Sequence, residues 1–165
     1  MSEERISEMS QYLTFTLGDE AFALEISRVR EVVDYVSVTK VPRMPAYLCG
    51  VINLRGNVVS VIDLRLKLGM SATVKTGDTC IVIAEVSMDG KILPMGLLAD
   101  SVQEVIYFDS DQIEPPPKVG TKLNPEFIRA IGKRNDSFVI ILNIDKLLSK
   151  YESMTISKDR EISEA

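Results

Sequence analysis

Carboxylates are the side chains of this sequence that could do acid–base chemistry, because it has 24 aspartates and glutamates and no histidine. A carboxylate-based hydrolase needs two buried acids that face one cleft. Asp63 and Asp100 are the pair that we consider for this role. Asp63 also occupies a helix-cap position and Asp100 a turn position, and these roles explain both residues without catalysis. The sequence therefore favours a protein that is not an enzyme, with a hydrolase as the less favoured alternative.

The absence of histidine excludes several other kinds of site. A phosphohistidine relay, a nucleophile activated by histidine and a histidine-based metal site are all ruled out. The nine glycines are never closer than six positions apart, so neither Gly-x-Gly-x-x-Gly nor Gly-x4-Gly-Lys occurs. We therefore predict no catalytic residue, no cofactor and no metal ligand.

Composition and charge limit the class of protein further. The 165 residues suit one domain, or two small halves that share a core. The net charge of -5 argues against nucleic acid as a partner, because a phosphate backbone requires a basic surface. The N-terminus lacks the apolar stretch of a secretion signal, and no apolar run is long enough to span a bilayer. We expect a cytoplasmic protein without direct membrane insertion, in which Cys49 and Cys80 are buried, reduced thiols.

The stretch from Pro42 to Leu68 is the most informative element of the chain. Two short runs rich in β-branched residues, Val51–Leu54 and Val58–Ile62, flank Arg55-Gly56-Asn57, and this pattern predicts a β-hairpin. Asp63 is placed to cap a short helix over Leu64–Leu68, and Gly69 to end it in a left-handed conformation. Arg55 should therefore lie at the exposed tip of a rigid hairpin.

The N-terminal part predicts a second hairpin. Leu13, Phe15 and Leu17 alternate with polar residues, which is typical of a half-buried strand, and Gly18-Asp19 turns the chain. The returning strand should place Phe22 on the same side as Phe15. Between Ile26 and Val33 the spacing fits both a helix and a strand, and we expect a brief helical turn or a bulge there. A further short strand is predicted over residues 36–41.

The rest of the chain predicts more strands. The apolar run within Thr79–Val86 should form a central strand covered on both faces, and Asp89-Gly90 should turn it into Lys91–Ala99, where Pro94 marks an edge or a bulge. Pro115-Pro116-Pro117 is interpreted as a spacer. Further strands are expected over Val102–Phe108, Glu126–Ile131 and Phe138–Leu142, and a helix capped by Asn143 and carrying Ile144, Leu147, Leu148 and Tyr151.

A weak internal repeat relates the two halves at an offset of eighty positions. The apolar register of residues 45–68 agrees without a gap with that of residues 125–148, although only three of these positions are identical. Val58–Leu68 and Phe138–Leu148 should therefore adopt the same strand-plus-helix conformation, unless the likeness is one of patterning alone. Many short strands and an approximate duplication favour a mainly β fold of two small antiparallel barrels packed together.

The central stretch resembles the CheW family, the coupling proteins of bacterial chemotaxis. The residues that carry the resemblance are Pro42, Pro45, Tyr47, Gly50, Val51, Asn53 to Gly56, and Ile62 to Arg65. The likeness extends from Tyr12 to about Tyr151, with one departure at Ser60, where many relatives carry proline. The resemblance implies two five-stranded SH3-like β-barrel subdomains with short helices and a hydrophobic groove between them.

The same resemblance implies a function and a site. It implies a non-catalytic adaptor that binds the cytoplasmic tip of chemoreceptors, the methyl-accepting chemotaxis proteins, and the regulatory domain of the histidine kinase CheA. Matching positions make the expected partner-binding residues Val29, Glu31, Gly50, Asn53, Arg55 and Gly56. Val29 could equally be a core residue, Glu31 a solvated carboxylate and Arg55 a surface turn residue. The family pattern also places Glu31 and Arg55 near one surface, where they could form an ion pair.

The expected domain division follows the extent of the resemblance. Residues 1–10 form a disordered tail, residues 11–152 a CheW-like domain of two intertwined barrels that share a core, and residues 153–165 a mobile tail. The protein would be cytoplasmic and would reach membrane receptor arrays through its partners. An adaptor of the same fold in a related chemosensory pathway, such as one that governs surface motility, stays open as an alternative.

Overall fold

The chain folds into two β-sheets, which the computed structural model describes over residues 10–116 and 124–148. The strands are β1 (Ser10–Leu17), β2 (Glu20–Glu25), β3 (Val29–Asp34), β4 (Leu48–Leu54), β5 (Asn57–Asp63), β6 (Cys80–Met88), β7 (Lys91–Ala99), β8 (Ser101–Phe108), β9 (Ile113–Glu114), β10 (Ile128–Arg134) and β11 (Ser137–Leu142). Helix α1 spans Leu64–Lys67 and helix α2 residues 144–148, and short 3-10 turns cover Ile26–Arg28, Ser110–Gln112 and Pro125–Phe127. The predicted mainly β class is confirmed.

Each half of the chain contributes to both sheets. The first sheet has the order β8-β1-β2-β11-β10-β9, and the second has the order β3-β6-β7-β5-β4. The N-terminal hairpin thus belongs to the sheet of the C-terminal strands. The chain crosses between the sheets after β2 and again after β7. The first sheet exceeds the expected five strands because the two-residue β9 pairs with β10, and the SH3-like barrel form stays a prediction.

The largest core cluster lies between the two sheets. It combines Phe15 and Phe22 of the first sheet with Val82 and Leu97 of the second, and the buried leucines of both short helices join it. Each sheet also covers a smaller apolar cluster of its own. The two halves share one core, because the helix that follows each hairpin packs its apolar side chains into the space between the sheets.

The hairpin predicted at the centre of the chain is present. Arg55 and Gly56 form its two-residue turn with φ values of 50° and 87°, which is the primed turn that suits the twist of paired strands. Asp63 caps α1 by accepting hydrogen bonds from the backbone nitrogens of Arg65 and Leu66. Gly69 has a φ of 83°, as its predicted role requires. Arg55 accordingly lies exposed at the tip.

The internal repeat is confirmed at the level of strand register. Leu48 pairs with Ile62 and Ile128 pairs with Leu142, and each hairpin has its irregularity at the same place, just after these pairs. The peptide nitrogen of Asp63 donates to the carbonyl oxygen of Tyr47 at 2.7 Å, and Asn143 donates to Phe127 at 2.8 Å. All of these residues are related by the offset of eighty, and both hairpins continue into a short helix.

The segment from Ile26 to Val33, whose spacing fits both a helix and a strand, forms first one and then the other. Ile26–Arg28 forms a 3-10 turn, and β3 follows with a register shift between Val29 and Glu31. Phe15 and Phe22 pair directly and stack with their ring centroids 6.1 Å apart. The central position of β6 and the Asp89-Gly90 turn are also confirmed.

Three sequence predictions about strands need correction. Strand β1 is covered on both faces, because Tyr12 and Thr14 are buried as well, Tyr12 in the smaller apolar cluster of the first sheet and Thr14 with its hydroxyl bonded to the Glu104 carbonyl oxygen. Residues 36–41 form no strand, since only Thr39 makes a bridge, to Val51. Pro94 lies in an inner strand without a bulge, and it is tolerated because the parallel ladder to β5 begins only at Met95.

Some predictions lie outside the described residues. These are the two tails apart from Ser10, Pro117 of the proline spacer and Tyr151 at the end of the last apolar stripe. The predicted tail over residues 1–10 is wrong at Ser10, because this residue begins β1 and pairs with Phe108. Among the described residues, no helix is long and apolar enough to cross a membrane.

Candidate partner-binding site

The Glu31–Arg55 ion pair is the centre of the candidate site. Arg55 Nη1 donates to Glu31 Oε2 at 2.9 Å and Nη2 donates to Oε1 at 2.5 Å, so the guanidinium holds both carboxylate oxygens. The Arg55 side chain remains 67% exposed. The hydrogen bonds from Arg55 lower the pKa of the Glu31 carboxyl below its ordinary value, so Glu31 is an anion at neutral pH. The predicted pairing of these two residues is confirmed.

The hairpin turn fixes the direction of Arg55. The Asn53 side-chain oxygen accepts a hydrogen bond of 2.7 Å from the Gly56 nitrogen and thereby closes the turn. Gly56 supplies the left-handed conformation in open space, because a Cβ atom at this position would have no atom beyond its chain neighbours within 4 Å. Asn53 and Gly56 thus act by shaping the tip that presents Arg55.

Gly50 is buried and lies under the segment that follows β3. A Cβ atom there would lie 2.0 Å from the carbonyl oxygen of Thr39, and the φ of 144° also favours glycine. Thr39 and Val51 exchange two backbone hydrogen bonds of 2.9 Å at this point. Gly50 therefore lets the chain after β3 approach β4, which brings the two edges of the second sheet together.

Val29 occupies the start of β3 and packs partly against the main core. This packing accounts for a valine at the position, and the remaining exposed part lies on the strand that carries Glu31. The structure thus brings Glu31 and Arg55 into contact, assigns local structural roles to Asn53, Gly56 and Gly50, and leaves Val29 between core and surface.

A surface pocket of about 390 Å³ adjoins the ion pair. Besides Glu31 and Arg55, its lining residues are Arg30, Leu54, Asn57, Val58, Val59 and Pro94. The Val58 side chain is 76% exposed, which is unusual for a large aliphatic residue in a strand. An exposed apolar surface edged by arginine is typical of a protein-binding site. The sequence prediction missed Val58 because no local signal distinguishes it from the buried Val59.

The two acids considered for catalysis have structural partners. Asp63 is buried and accepts hydrogen bonds from the backbone nitrogen of Thr73 at 3.0 Å and from its hydroxyl at 2.8 Å, in addition to capping α1. Asp100 accepts hydrogen bonds from the Gly18 nitrogen and from Arg65. Their geometry is accounted for by helix capping and by an ion pair, as the sequence suggests.

The two cysteines do not form a disulfide, and Cys80 is buried as predicted. Cys49 is only half-buried, because it lies on β4 at the edge of the second sheet. Burial raises the pKa of the Cys49 thiol to about 11, and the nearby Asp63 adds to this shift.

The fold and the site define a protein-interaction module of two β-sheets. A family model described as the CheW-like domain matches residues 11–152. The chain belongs to this family.

Named relatives agree with this membership. The chain is 36% identical over 148 residues to "Chemotaxis protein CheW" of Helicobacter pylori, covering 90% of this chain and 87% of the relative. It is 34% identical over 143 residues to "Probable chemotaxis protein CheW" of Rhizobium etli, covering 87% and 90%. A more distant relative is "Protein FrzA" of Myxococcus xanthus, 25% identical over 149 residues, covering 90% and 91%.

A solved structure has a similar fold. The crystal structure of the scaffolding protein TtCheW from Thermoanaerobacter tengcongensis superposes with a TM-score of 0.76 at 38% identity, covering 85% of this chain and 88% of that one. Membership in the CheW family together with this scaffolding neighbour indicates a non-catalytic adaptor protein.

Proposed function

We propose that this chain couples chemoreceptors, the methyl-accepting chemotaxis proteins, to the histidine kinase CheA in chemotaxis signal transduction. The observation that carries the proposal is the two-bond Glu31–Arg55 pair beside a surface pocket with a mixed polar and apolar lining, in a chain of the CheW family. The partners are the cytoplasmic tip of the receptor and the regulatory domain of the kinase. Neither interaction makes or breaks a covalent bond, because an adaptor acts by bringing its partners into one assembly.

The geometry suits recognition more than stability. An exposed ion pair is screened by solvent and contributes little to folding, so the Glu31–Arg55 pair is not needed to hold the domain together. The pair does fix the guanidinium before a partner arrives, which reduces the entropy lost on binding. Val58 and Pro94 provide apolar surface beside the fixed charge. In the proposal, Arg55 is the anchor, Glu31 orients it and Val29 borders the receptor surface.

The partner surface is proposed for one half of the domain. The position equivalent to Arg55 in the second hairpin is Asn135, whose φ of 55° matches the value of 50° at Arg55. The first residues of the two turns therefore share a left-handed conformation, but Gly56 also has a positive φ and its counterpart Asp136 does not, and the two turns differ in charge. A receptor that requires a guanidinium at the tip would bind the half that contains β4 and β5.

The domain proposed for this role covers residues 10–152, with tails at 1–9 and 153–165 that take no part. In the cell, the protein would be cytoplasmic and located at receptor arrays through its partners. Deletion of residues 1–8 and 157–165 should leave the melting temperature nearly unchanged. A fall of several degrees would mean that a tail is docked on the domain.

An adaptor role in a related chemosensory pathway, such as one for surface motility, is the second candidate. The similarity to FrzA favours keeping it, because that relative does not carry the CheW name. The two candidates differ in which receptors and which kinase are bound, and not in the mechanism. Identification of the receptor and kinase that copurify with the chain from its own cell separates them.

The experiment that tests the adaptor role is a pull-down with the purified chain as bait. Receptor tip fragments and the kinase regulatory domain from the same cell serve as the two candidate partners. The proposal expects both to bind, each alone and both together. If neither binds, the adaptor function is excluded.

A further inference from the structure

Two arginine–aspartate ion pairs join the sheets at equivalent places. In one pair the arginine lies on the short helix, and in the other the aspartate does. Arg65 is the second residue of α1, and Asp145, eighty positions later, is the second residue of α2. Each pairs with a residue of opposite charge that lies where the chain crosses between the sheets. We name them the Arg65–Asp100 clasp and the Arg28–Asp145 clasp.

In the Arg65–Asp100 clasp, the carboxylate belongs to the crossover after β7. Asp100 Oδ2 accepts hydrogen bonds from Arg65 Nη1 at 2.7 Å and from the backbone nitrogen of Gly18 at 2.6 Å. The Asp100 nitrogen donates to the Thr16 carbonyl oxygen at 3.0 Å. The clasp thus ties α1 and the crossover to the turn between β1 and β2 in the other sheet.

In the Arg28–Asp145 clasp, the carboxylate belongs to the helix and the arginine to the crossover after β2. Arg28 Nη1 donates to Asp145 Oδ2 at 2.9 Å, and its Nη2 donates to Oδ1. Asp145 Oδ1 also accepts a hydrogen bond of 2.9 Å from the Ser87 nitrogen, and Arg28 Nε donates to the Glu85 carbonyl oxygen at 3.0 Å. This clasp ties α2 and the crossover to β6 of the other sheet.

Strand pairing shows that the clasps are counterparts. The parallel ladders pair Ile140 with Phe22 and Ser60 with Met95, and Ser60 and Ile140 are related by the offset of eighty. Phe15, which pairs with Phe22, therefore corresponds to Ala84, which pairs with Met95, and Gly18 and Ser87 each lie three residues further along. In both clasps this backbone nitrogen donates to the aspartate. The clasps therefore supply a comparable pair for experiment, although Arg28 makes two hydrogen bonds to Asp145 and Arg65 makes one to Asp100.

The clasps differ in their distance along the chain from the candidate site. Arg28 ends the 3-10 turn that leads directly into β3, three residues before Glu31. That turn has no side-chain cap and no fully buried residue, and β3 is an edge strand that pairs only with β6 in its sheet. Arg30 Nε also contacts Glu85 Oε1 at 3.3 Å, so Glu85 links Arg28 and Arg30.

We infer that the Arg28–Asp145 clasp positions the start of β3, and with it Glu31 and Arg30, for the partner that binds at Arg55. Arg28 and Asp145 are then positioning residues of the candidate site, although neither lines its pocket. The Arg65–Asp100 clasp joins the same sheets but attaches after β5 and before β8, and not to the strand that carries Glu31, so it serves the fold alone. This inference rests on the proposed receptor binding.

The test compares Asp145→Asn with Asp100→Asn, which remove the same charge from the two clasps. The affinity for a receptor tip fragment is measured by titration, and hydrogen exchange is measured in the peptide that contains β3. Asp145→Asn should weaken binding about tenfold or more and speed exchange in β3, whereas Asp100→Asn should change affinity less than about twofold. Asp145→Glu retains the carboxylate and should recover most of the affinity.

Two results would overturn the inference in distinguishable ways. Equal losses of affinity in Asp145→Asn and Asp100→Asn would show that both clasps act only through the fold. Unchanged β3 exchange in Asp145→Asn would show that the clasp does not position the strand. Failure of the wild-type chain to bind any receptor fragment would instead exclude the proposed function, and with it the binding part of this inference.

Discussion

Arg55 and Glu31 connect the tip of the β4–β5 hairpin to β3, the strand at the far end of the same sheet. The contact is possible because the sheet curves until its first and last strands approach, as the Thr39–Val51 bridge also indicates. Because the ion pair joins the two edges of the sheet, the curvature of the sheet determines where the Arg55 guanidinium lies. The predictions below follow from this relationship and from the contacts around it.

Exchanging the two charges should restore part of what either single reversal removes. Glu31→Arg and Arg55→Glu each place two like charges at the site and should weaken receptor binding. The double variant rebuilds the pair in reverse and should bind better than either single variant. A double-mutant cycle on receptor affinity measures the coupling. Additive losses would mean that the two side chains contact the partner independently.

Gly50→Ala should be much more destabilising than Gly56→Ala. The new methyl group at position 50 would overlap the Thr39 carbonyl oxygen, and we expect a loss of at least about 2 kcal/mol in the free energy of unfolding. At position 56 there is open space, so only the left-handed conformation opposes alanine, at a cost of about 1 kcal/mol. Urea denaturation of both variants checks the order. Equal losses would contradict the close approach at Gly50.

Acid should weaken the folded state partly through Asp145. Its burial raises the pKa, but the hydrogen bonds from Arg28 and Ser87 outweigh this and hold the pKa below the ordinary value. A lowered folded-state pKa stabilises the protein above the unfolded pKa of about 3.9, and this contribution is lost as the pH falls through the folded value. Glu31 behaves in the same direction.

The measurement is the free energy of unfolding of wild type and Asp145→Asn from pH 7 down to pH 3. The variant should start lower at neutral pH and lose less stability on acidification, since it lacks one of the groups that take up protons. Parallel curves for the two proteins would show that Asp145 does not titrate with a lowered pKa.

Cys49 should react slowly with alkylating reagents in the folded protein. With the pKa of its thiol near 11, the thiolate fraction at neutral pH is lower than that of an ordinary cysteine by on the order of a hundredfold. Labelling with iodoacetamide, followed by mass spectrometry, gives the rate, and the urea-unfolded chain is the control. Equally fast labelling of folded and unfolded chains would be inconsistent with a buried thiol.

The hairpins, the helix caps and the repeat could be predicted because their signals are local. Arg55-Gly56 and Asp89-Gly90 specify two-residue turns, and Asp63 lies where a cap is needed. The offset of eighty preserved the pattern of apolar residues closely enough to give the strand register. Residues 36–41 have a strand-like pattern, but only Thr39 pairs with another strand, through its bridge to Val51. The other residues of this segment lack strand partners, so no strand forms.

The arrangement of the sheets depended on contacts between distant parts of the chain. Nothing local to Tyr12 shows that β8, some ninety residues later, pairs beside it and buries it with Ile106 and Phe108. The partners Arg28 and Asp145 are 117 positions apart, and no spacing rule connects them. The resemblance to the CheW family supplied the Glu31–Arg55 pair, but it did not indicate the exposure of Val58, which lies before the ladder between β5 and β7 begins at Ser60 and Met95.

The central claim is that Arg55 is an anchor for the receptor and not a structural residue. The decisive measurement is the affinity of a receptor tip fragment for wild type, Arg55→Ala, Arg55→Glu and Asn135→Glu, with the thermal unfolding of each. Asn135→Glu is the matched control, because it places the same side chain at the equivalent first turn position of the other hairpin, which also has a positive φ. Arg55→Ala should lose about 2 kcal/mol of binding energy or more, roughly thirtyfold in affinity, and stay within about 0.5 kcal/mol in stability. Arg55→Glu should bind more weakly still and Asn135→Glu like wild type, whereas undiminished binding by Arg55→Glu would contradict the account.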